Sequence, residues 1–153
     1  MDARATWLKF FLHRADNDGM EHEGMDQRPA PSAECIAGEL RAWQSTGLRI
    51  AIWGSAAESV AFLETHGVEA WRFPTMVDSD PAQASMYVPG VGQVVHSPDW
   101  LLDHPVDIIL IPSPRRAVKI VRQIDASRIA YEGILIPREG HLVDFHAAEM
   151  LLA

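Results

Sequence analysis

The stretch RIAIWGSAAES, residues 49–59, decides the fold class. An apolar run rich in isoleucine ends at Gly54, and small residues then lead into a helical pattern. This order is typical of the first strand, turn and helix of a doubly wound α/β domain. In such domains ligands lie in the crevice beyond the carboxyl ends of the strands. The stretch therefore predicts an architecture and also the edge of the sheet where a ligand would bind.

Strand patterns alternate with helical patterns through the rest of the chain, which implies right-handed crossovers and a mostly parallel sheet. We predict an α/β fold, Rossmann-like and doubly wound, with helices flanking the sheet. The predicted strands are 48–53, 68–77 with an interruption at Pro74, 94–95, 106–111, 134–137 and an edge strand at 142–145; the predicted helices are 33–45, 58–66, a helical turn over 97–102, and 115–124.

The first 31 residues differ in character from the remainder. Residues 5–14 are predicted to form a short amphipathic helix, and residues 15–31 are acidic, contain Gly and Pro and show no apolar period, which favours a linker. We therefore divide the chain into this N-terminal segment, 1–31, and a Rossmann-like domain, 32–153. An apolar helix beyond a linker is expected to dock on its own domain or on a second copy.

Charge and cysteine content exclude several classes of partner. The chain carries 13 basic and 21 acidic residues, a net charge of −8, without a clustered basic face for nucleic acid or an anionic membrane. Its one cysteine, Cys35, excludes an internal disulfide and a cysteine-based zinc site, and it favours a reducing cytoplasm. The sequence lacks a signal-peptide pattern and an apolar run of the roughly 18 residues that a membrane span needs.

Four segments, taken in order, resemble the C-terminal domain of sugar C-methyltransferases, enzymes that methylate a carbon of a nucleotide-linked deoxysugar. The segments are IWGSAAES (52–59), VDSDP (77–81), YVPG (87–90) followed by VVHSPDWL (94–101), and VDIILIP (106–112). The resemblance covers about residues 48–145 and implies a Rossmann-like fold with a nucleotide-sugar pocket.

The chain also departs from that family. The family's turn commonly carries a lysine where this chain has Glu58, and a carboxylate repels a phosphate. The complete enzymes add a zinc-binding segment and a domain that binds S-adenosylmethionine, for which this sequence has no cysteine set and no second glycine-rich turn. The resemblance therefore implies the fold and a pocket, with methyl transfer left to a separate methyltransferase subunit.

The candidate binding residues follow three of the predicted strands. The turn after strand one could bind an anion through backbone N–H groups and hydroxyls, or could be purely structural. An acid at the end of strand two could hold a ribose or sugar hydroxyl, or simply form a turn. An arginine pair after the central strand could meet a diphosphate, or form a solvated helix face. The predicted ligand-binding residues are Gly54, Ser55, Ala56, Ser59, Asp78, Ser113, Arg115 and Arg116.

Other polar residues do not form a recognisable catalytic or metal-binding set. His141, Asp144 and His146 cannot converge if they lie in one strand, because alternate side chains point to opposite faces. His96 with Asp99, and Tyr87, could serve acid/base chemistry, but their spacing establishes no triad. We predict no metal, no cofactor and no catalytic residue, and leave open whether the protein is an enzyme. The tryptophans are predicted to lie mostly in the core, with a base stacking on Trp53 as an alternative.

The leading interpretation is a small domain that binds a nucleotide-linked sugar or a related anionic metabolite. It could serve as an accessory subunit without its own methyltransferase chemistry. The alternative is an interaction module that has lost ligand binding, in which the N-terminal helix and acidic linker mediate homodimerisation or docking to a separate enzyme. An enzyme acting on a nucleotide sugar through His96 or Tyr87 ranks last.

Overall fold

The computed structural model describes residues 33–44, 46–88 and 92–150, so the predicted N-terminal helix and linker lie outside the described residues. The helices are α1 (Ala33–Gln44), α2 (Ala56–Thr65), α3 (Trp100–Asp103), α4 (Pro114–Ala126) and α5 (Phe145–Met150), with a 3₁₀ turn at Ala70–Arg72. The strands are β1 (Ile50–Trp53), β2 (Thr75–Val77), β3 (Val95–His96), β4 (Ile108–Leu110), β5 (Gly133–Arg138) and β6 (His141–Asp144).

The six strands form one sheet in the order β3-β2-β1-β4-β5-β6. Strands β1 to β5 pair in parallel, and β6 pairs with β5 in the antiparallel direction. This is the strand order of the Rossmann fold, and the order reverses between β1 and β4. The predicted fold class is confirmed.

Side chains alternate between two cores along the central strands, as the period of a strand requires. Ile50 and Ile52 of β1 face α1 and α2, in a core that also contains Leu40 and Trp43 of α1. Ala51 and Trp53 face the opposite side, where α4 contributes Ala117, Ile120, Val121 and Ile124. The central strands are therefore buried on both faces, which explains their continuous apolar runs.

Helix α1 confirms the stripe that the sequence predicts, since Ile36, Leu40 and Trp43 are all buried. The helix ends before Gly47, whose φ of 74° lies in the left-handed region that favours glycine. On the same helix, the Glu39 carboxylate accepts a hydrogen bond from Leu142 N at 2.9 Å, which ties α1 to the edge strand β6.

Several predicted boundaries were wrong. The predicted second strand begins at residue 68, but its first half contains the 3₁₀ turn at Ala70–Arg72, and the strand itself starts after Pro74. Residues 48–49 lie before β1, and α2 begins two residues earlier than predicted because Ser55 caps it. Phe145 was predicted in the edge strand but starts α5, an unpredicted helix, where the Asp144 side chain accepts from Ala147 N at 3.0 Å.

Candidate functional site

The crevice at the carboxyl ends of β1 and β4 lies where the strand order of the sheet reverses. Helix α2 follows β1 and packs on one face of the sheet, whereas α4 follows β4 and packs on the other. Because the two helices leave the sheet on opposite sides, their first turns diverge above the strand ends. Ligands of open α/β sheets bind in such crevices.

The turn between β1 and α2 is held firmly by hydrogen bonds. Gly54 N donates to Val77 O at 3.0 Å, which joins the turn to β2. Ser55 is the N-cap of α2, and its hydroxyl oxygen accepts from Glu58 N at 3.1 Å. The first amides of a helix have no partner within it, so this bond satisfies one of them. The cap fixes the direction in which α2 leaves the sheet.

The loop after β2 folds around Asp78, a residue that is only 9% exposed. Asp78 Oδ1 accepts from Asp80 N at 3.0 Å, and Asp78 N donates to His96 O at 3.1 Å. The carboxylate of Asp80 in turn accepts from Ala82 N at 3.0 Å. Each carboxylate is thus held by a backbone amide two residues further along the chain, in the loop that follows β2.

A short chain of hydrogen bonds joins β1, this loop and α4. Trp53 Nε1 donates to Ser79 Oγ at 2.9 Å, and the Ser79 hydroxyl donates to Gln123 Oε1 at 2.7 Å. Trp53 is 1% exposed and packs in the core on the α4 side of the sheet. The alternative that a base stacks on Trp53 is therefore wrong, because its ring faces are covered by the protein. The indole instead supports the floor of the site.

A cleft of about 420 Å³ opens between the strand ends and α4. Its lining includes two acidic residues of the loop after β2, Asp78 and Asp80, and two basic residues of α4, Arg116 and Lys119. Guanidinium and ammonium groups bind phosphate, and carboxylates accept hydrogen bonds from hydroxyls. The cleft is lined by Trp53, Gly54, Asp78, Ser79, Asp80, Arg116, Lys119, Ile120 and Gln123.

Of the residues predicted from the sequence, Gly54, Asp78 and Arg116 come together on this cleft. The others lie around it: Ser55 caps α2, Ala56 begins it, Ser59 is buried one turn into it, Ser113 precedes α4, and Arg115 is exposed outside the cleft lining. Their roles in binding stay predictions.

Sequence reasoning missed Ser79, Asp80, Lys119 and Gln123. Lys119 and Gln123 follow Arg116 by three and seven residues, the spacing that places side chains on one face of a helix. That spacing was available in the sequence and would have identified the polar face of α4. Ser79 required knowledge of the indole that it contacts, which pattern alone does not supply.

Histidines at other positions have separate partners. His141 Nδ1 lies 3.5 Å from Glu39 Oε1, and His146 Nε2 lies 3.0 Å from the Tyr131 hydroxyl. Asp144 caps α5, so the three residues considered as metal ligands serve three different contacts. Within residues 33–44, 46–88 and 92–150, no group of three or more His, Cys, Asp or Glu side chains could hold a metal ion.

His96 lies at the end of β3, stacked on Trp100 with ring centroids 3.8 Å apart, and Trp100 stacks in turn on His104 at 4.0 Å. Partial burial, and second the charge of His104, lower the pKa of His96 below 6.5. Neither His96 nor Asp99 lines the cleft described above, and Tyr87 is 69% exposed. The residues considered for acid/base chemistry therefore do not meet there.

A second cleft, of about 450 Å³, lies at the opposite end of the strands, where β1 and β2 begin. It is lined by Trp71, Arg72, Phe73 and neighbouring residues, and the Arg72 guanidinium lies 4.8 Å from the Trp71 ring centre. Arg49 also lines it and pairs with the buried Asp107 at 3.4 Å. Its cations are thus already paired within the protein.

None of the helices in the described part of the chain is both long and apolar enough to cross a membrane.

Comparison with known proteins gives three findings. Among solved structures, UDP-D-quinovosamine 4-dehydrogenase from Vibrio fischeri matches with 18% sequence identity and a TM-score of 0.39, over 62% of this chain and 90% of that one. No curated protein matches. The family model described as the C-methyltransferase C-terminal domain matches residues 23–136, which is more than half of the chain and includes the cleft. The resemblance drawn from the four sequence segments is thereby confirmed, and the chain belongs to the C-methyltransferase C-terminal domain family.

Proposed function

We propose that this domain binds a nucleotide-linked sugar, or a related anionic metabolite, in the cleft between the ends of β1 and β2 and helix α4. The observation that carries the proposal is that one cleft is lined both by basic residues, Arg116 and Lys119, and by acidic residues, Asp78 and Asp80. A nucleotide-linked sugar presents both matching groups, a diphosphate and several hydroxyls. Membership of the C-methyltransferase C-terminal domain family supports the same class of ligand.

The basic and the acidic residues of the cleft would bind different parts of the ligand. Arg116 has 61% of its side chain exposed, and its one guanidinium contact with Glu58 is long, at 3.8 Å, so a diphosphate could reach it in a forked geometry. Lys119, one turn further along α4, adds a second positive charge. Asp78 is fixed by its loop, so a hydroxyl that donates to it meets a preorganised acceptor.

Thermal unfolding with thymidine diphosphate-glucose and uridine diphosphate-glucose tests this proposal. A ligand present at 100 times its Kd adds about 2.7 kcal/mol to the stability of the folded state. We expect the Tm to rise by several degrees at millimolar ligand. We expect Arg116→Ala to reduce the rise and Arg122→Ala, an exposed arginine of α4 outside the cleft lining, to preserve it. No rise with either ligand at millimolar concentration would contradict the proposal.

We further propose that the domain acts as an accessory subunit, with methyl transfer carried out by a separate methyltransferase domain or subunit. Family membership supports the association, and the described lining residues of the cleft include no histidine, cysteine or tyrosine that could serve with the carboxylates in acid/base chemistry. The chain incubated with S-adenosylmethionine and a nucleotide sugar should then produce no S-adenosylhomocysteine. Turnover by this chain alone would contradict the accessory role.

A second candidate function is association with another protein surface, including a second copy of the chain. Trp71, Met86 and Tyr87 are 59%, 56% and 69% exposed, and exposed apolar side chains that form one patch mark interaction surfaces. Gln93 Nε2 donates to Ala70 O at 3.0 Å, which joins the loop that carries Met86 and Tyr87 to the turn that carries Trp71. Sedimentation equilibrium of the wild type and of Trp71→Ser tests this candidate. An identical monomer mass for both would refute the homodimer.

A further inference from the structure

Two oxygen atoms beside Gly54 have no hydrogen-bond partner in the described part of the chain. One is the hydroxyl oxygen of Ser59, a residue with 0% exposure, and the other is Oε2 of Glu58, a buried atom of a side chain that is otherwise 33% exposed. Buried polar atoms are normally paired, because an unpaired one has lost its water and gained nothing. The Ser59 hydroxyl thus has no partner among the described residues, and Glu58 Oε2 has only an ion pair with Arg116 Nη1 at 3.8 Å, so this turn retains hydrogen-bonding capacity that the described residues do not use.

Both oxygens lie close to the space that a side chain at position 54 would occupy. A Cβ at position 54 would lie 3.3 Å from Glu58 Oε2 and 3.7 Å from Ser59 Oγ, with Pro112 Cδ at 3.8 Å. The glycine therefore keeps this space free of a side chain. Gly54 and Arg116 line the charged cleft, whereas Glu58 and Ser59 do not, so the two oxygens lie behind the turn that forms part of its lining.

The chemistry of this pair favours a neutral hydroxyl over a phosphate. An ionised carboxylate only accepts hydrogen bonds, whereas the Ser59 hydroxyl can both donate and accept. A phosphate oxygen would be repelled by Glu58. A cationic ligand is disfavoured because Arg116 Nη1 already lies 3.8 Å from Glu58 Oε2. A sugar hydroxyl can donate to the carboxylate and accept from the serine at the same time.

We infer that Glu58 and Ser59 form a sugar-hydroxyl subsite that adjoins the cleft at Gly54, and that Arg116 and Lys119 bind the diphosphate. The inference rests on the proposed function and adds an orientation, with the sugar toward the β1–α2 turn and the diphosphate along α4. Glu58 also competes with the ligand's diphosphate, because its carboxylate lies close to Arg116 in the free protein. Entry of the sugar requires the partly exposed Glu58 side chain to move aside from Gly54.

The test measures a sugar increment, defined as the Kd of the nucleoside diphosphate divided by the Kd of the matching nucleoside diphosphate-glucose. Calorimetric titration uses thymidine diphosphate with thymidine diphosphate-glucose, and the uridine pair in parallel. In the wild type we expect an increment well above one. We expect Ser59→Ala to reduce it about 3- to 10-fold, and Glu58→Gln about tenfold, the range expected for one lost hydrogen bond.

Glu58→Gln also makes a second, opposite prediction. Removing the carboxylate leaves Arg116 unopposed, so the bare diphosphate should bind more tightly than to the wild type. The matched control is Glu64→Gln, which removes the same charge from an exposed position on the same helix and should change neither Kd. Since Glu58 is partly exposed, its variant tests the inference even if Ser59→Ala folds poorly.

The outcomes separate the inference from the proposed function. If both members of a pair bind and the increment is near one, or is the same in the wild type and both variants, the subsite is refuted and the cleft still binds nucleotides. If neither member of either pair binds at millimolar concentration, the proposed function fails and the inference with it. Loss of the increment in Glu58→Gln and Ser59→Ala, with Glu64→Gln unchanged, supports the subsite.

Discussion

Two serines of α2 should respond to the same substitution with opposite changes in stability. Ser55 caps the helix by accepting from Glu58 N at 3.1 Å, whereas Ser59 is fully buried and its hydroxyl has no partner among the described residues. The two positions are four residues apart, one at the N-cap of α2 and the other inside the helix. Replacing each with alanine removes the same oxygen atom from two different environments.

The expected magnitudes follow from those environments. Loss of a serine N-cap costs about 1 kcal/mol, so Ser55→Ala should unfold more easily by about that amount. Ser59→Ala removes an unsatisfied buried hydroxyl, which costs the native state about 1–3 kcal/mol. Alanine also favours the helix by about 0.5 kcal/mol, while the small void left by the oxygen offsets part of the gain. We expect Ser59→Ala to be about 1 kcal/mol more stable than the wild type.

Urea unfolding of the full chain, followed by tryptophan fluorescence, measures both changes. With a slope of about 1–3 kcal/mol per molar urea, each variant should shift the midpoint by about 0.5 M, in opposite directions. Thermal unfolding should give Tm shifts of about 3–5 °C with the same signs. If Ser59→Ala is destabilised as much as Ser55→Ala, the Ser59 hydroxyl has a partner within the protein. The subsite beside Gly54 would then lose its main support.

Three further predictions concern other parts of the domain. Because the pKa of His96 is lowered in the folded protein, the unfolded chain binds more protons just below pH 6.5. The free energy of unfolding should therefore fall as the pH drops through that range. Urea titrations of His96→Gln should show a flatter pH dependence than those of the wild type. Asp107 is 3% exposed and accepts from Arg49 N at 2.8 Å, so Asp107→Asn should cost about 1–3 kcal/mol in urea unfolding; Arg49→Ala, which removes a 57% exposed side chain, should cost less than about 1 kcal/mol. The closest contact of a Cβ at position 54 would be the flexible end of Glu58, at 3.3 Å, so Gly54→Ala should lower the Tm by a few degrees at most. In calorimetry the same variant should bind the nucleotide sugar about 3- to 10-fold more weakly. An unchanged Kd for Gly54→Ala would place the ligand away from this turn.

The architecture was readable from the sequence because burial on both faces leaves a strong pattern. The run around Ile108 is apolar at every position since both cores need it, and the glycine after β1 marks the first turn. The errors lie where tertiary contacts override local pattern. Residues 68–74 have strand character, yet Ala70 and Phe73 are buried through a 3₁₀ turn that brings the chain to β2.

The site was less readable because its residues meet through tertiary structure. Asp78 and Arg116 could be placed at the ligand edge from their positions after strands, and the structure brings both to one cleft. The sequence indicated that Glu58 would disfavour phosphate, but not that its carboxylate lies beside Gly54 and near Arg116. That arrangement depends on the divergence of α2 and α4, which no local spacing encodes.

The most direct test of the binding site is a titration of ¹⁵N-labelled protein with thymidine diphosphate-glucose, followed by amide chemical shifts. We expect the largest shifts at Gly54–Ser59, at Asp78–Asp80 and along Arg116–Gln123, around the cleft at the carboxyl ends of the strands. Shifts centred instead on Trp71–Thr75, at the cleft where β1 and β2 begin, would contradict the proposed binding site. The absence of any shift at millimolar ligand would contradict it equally.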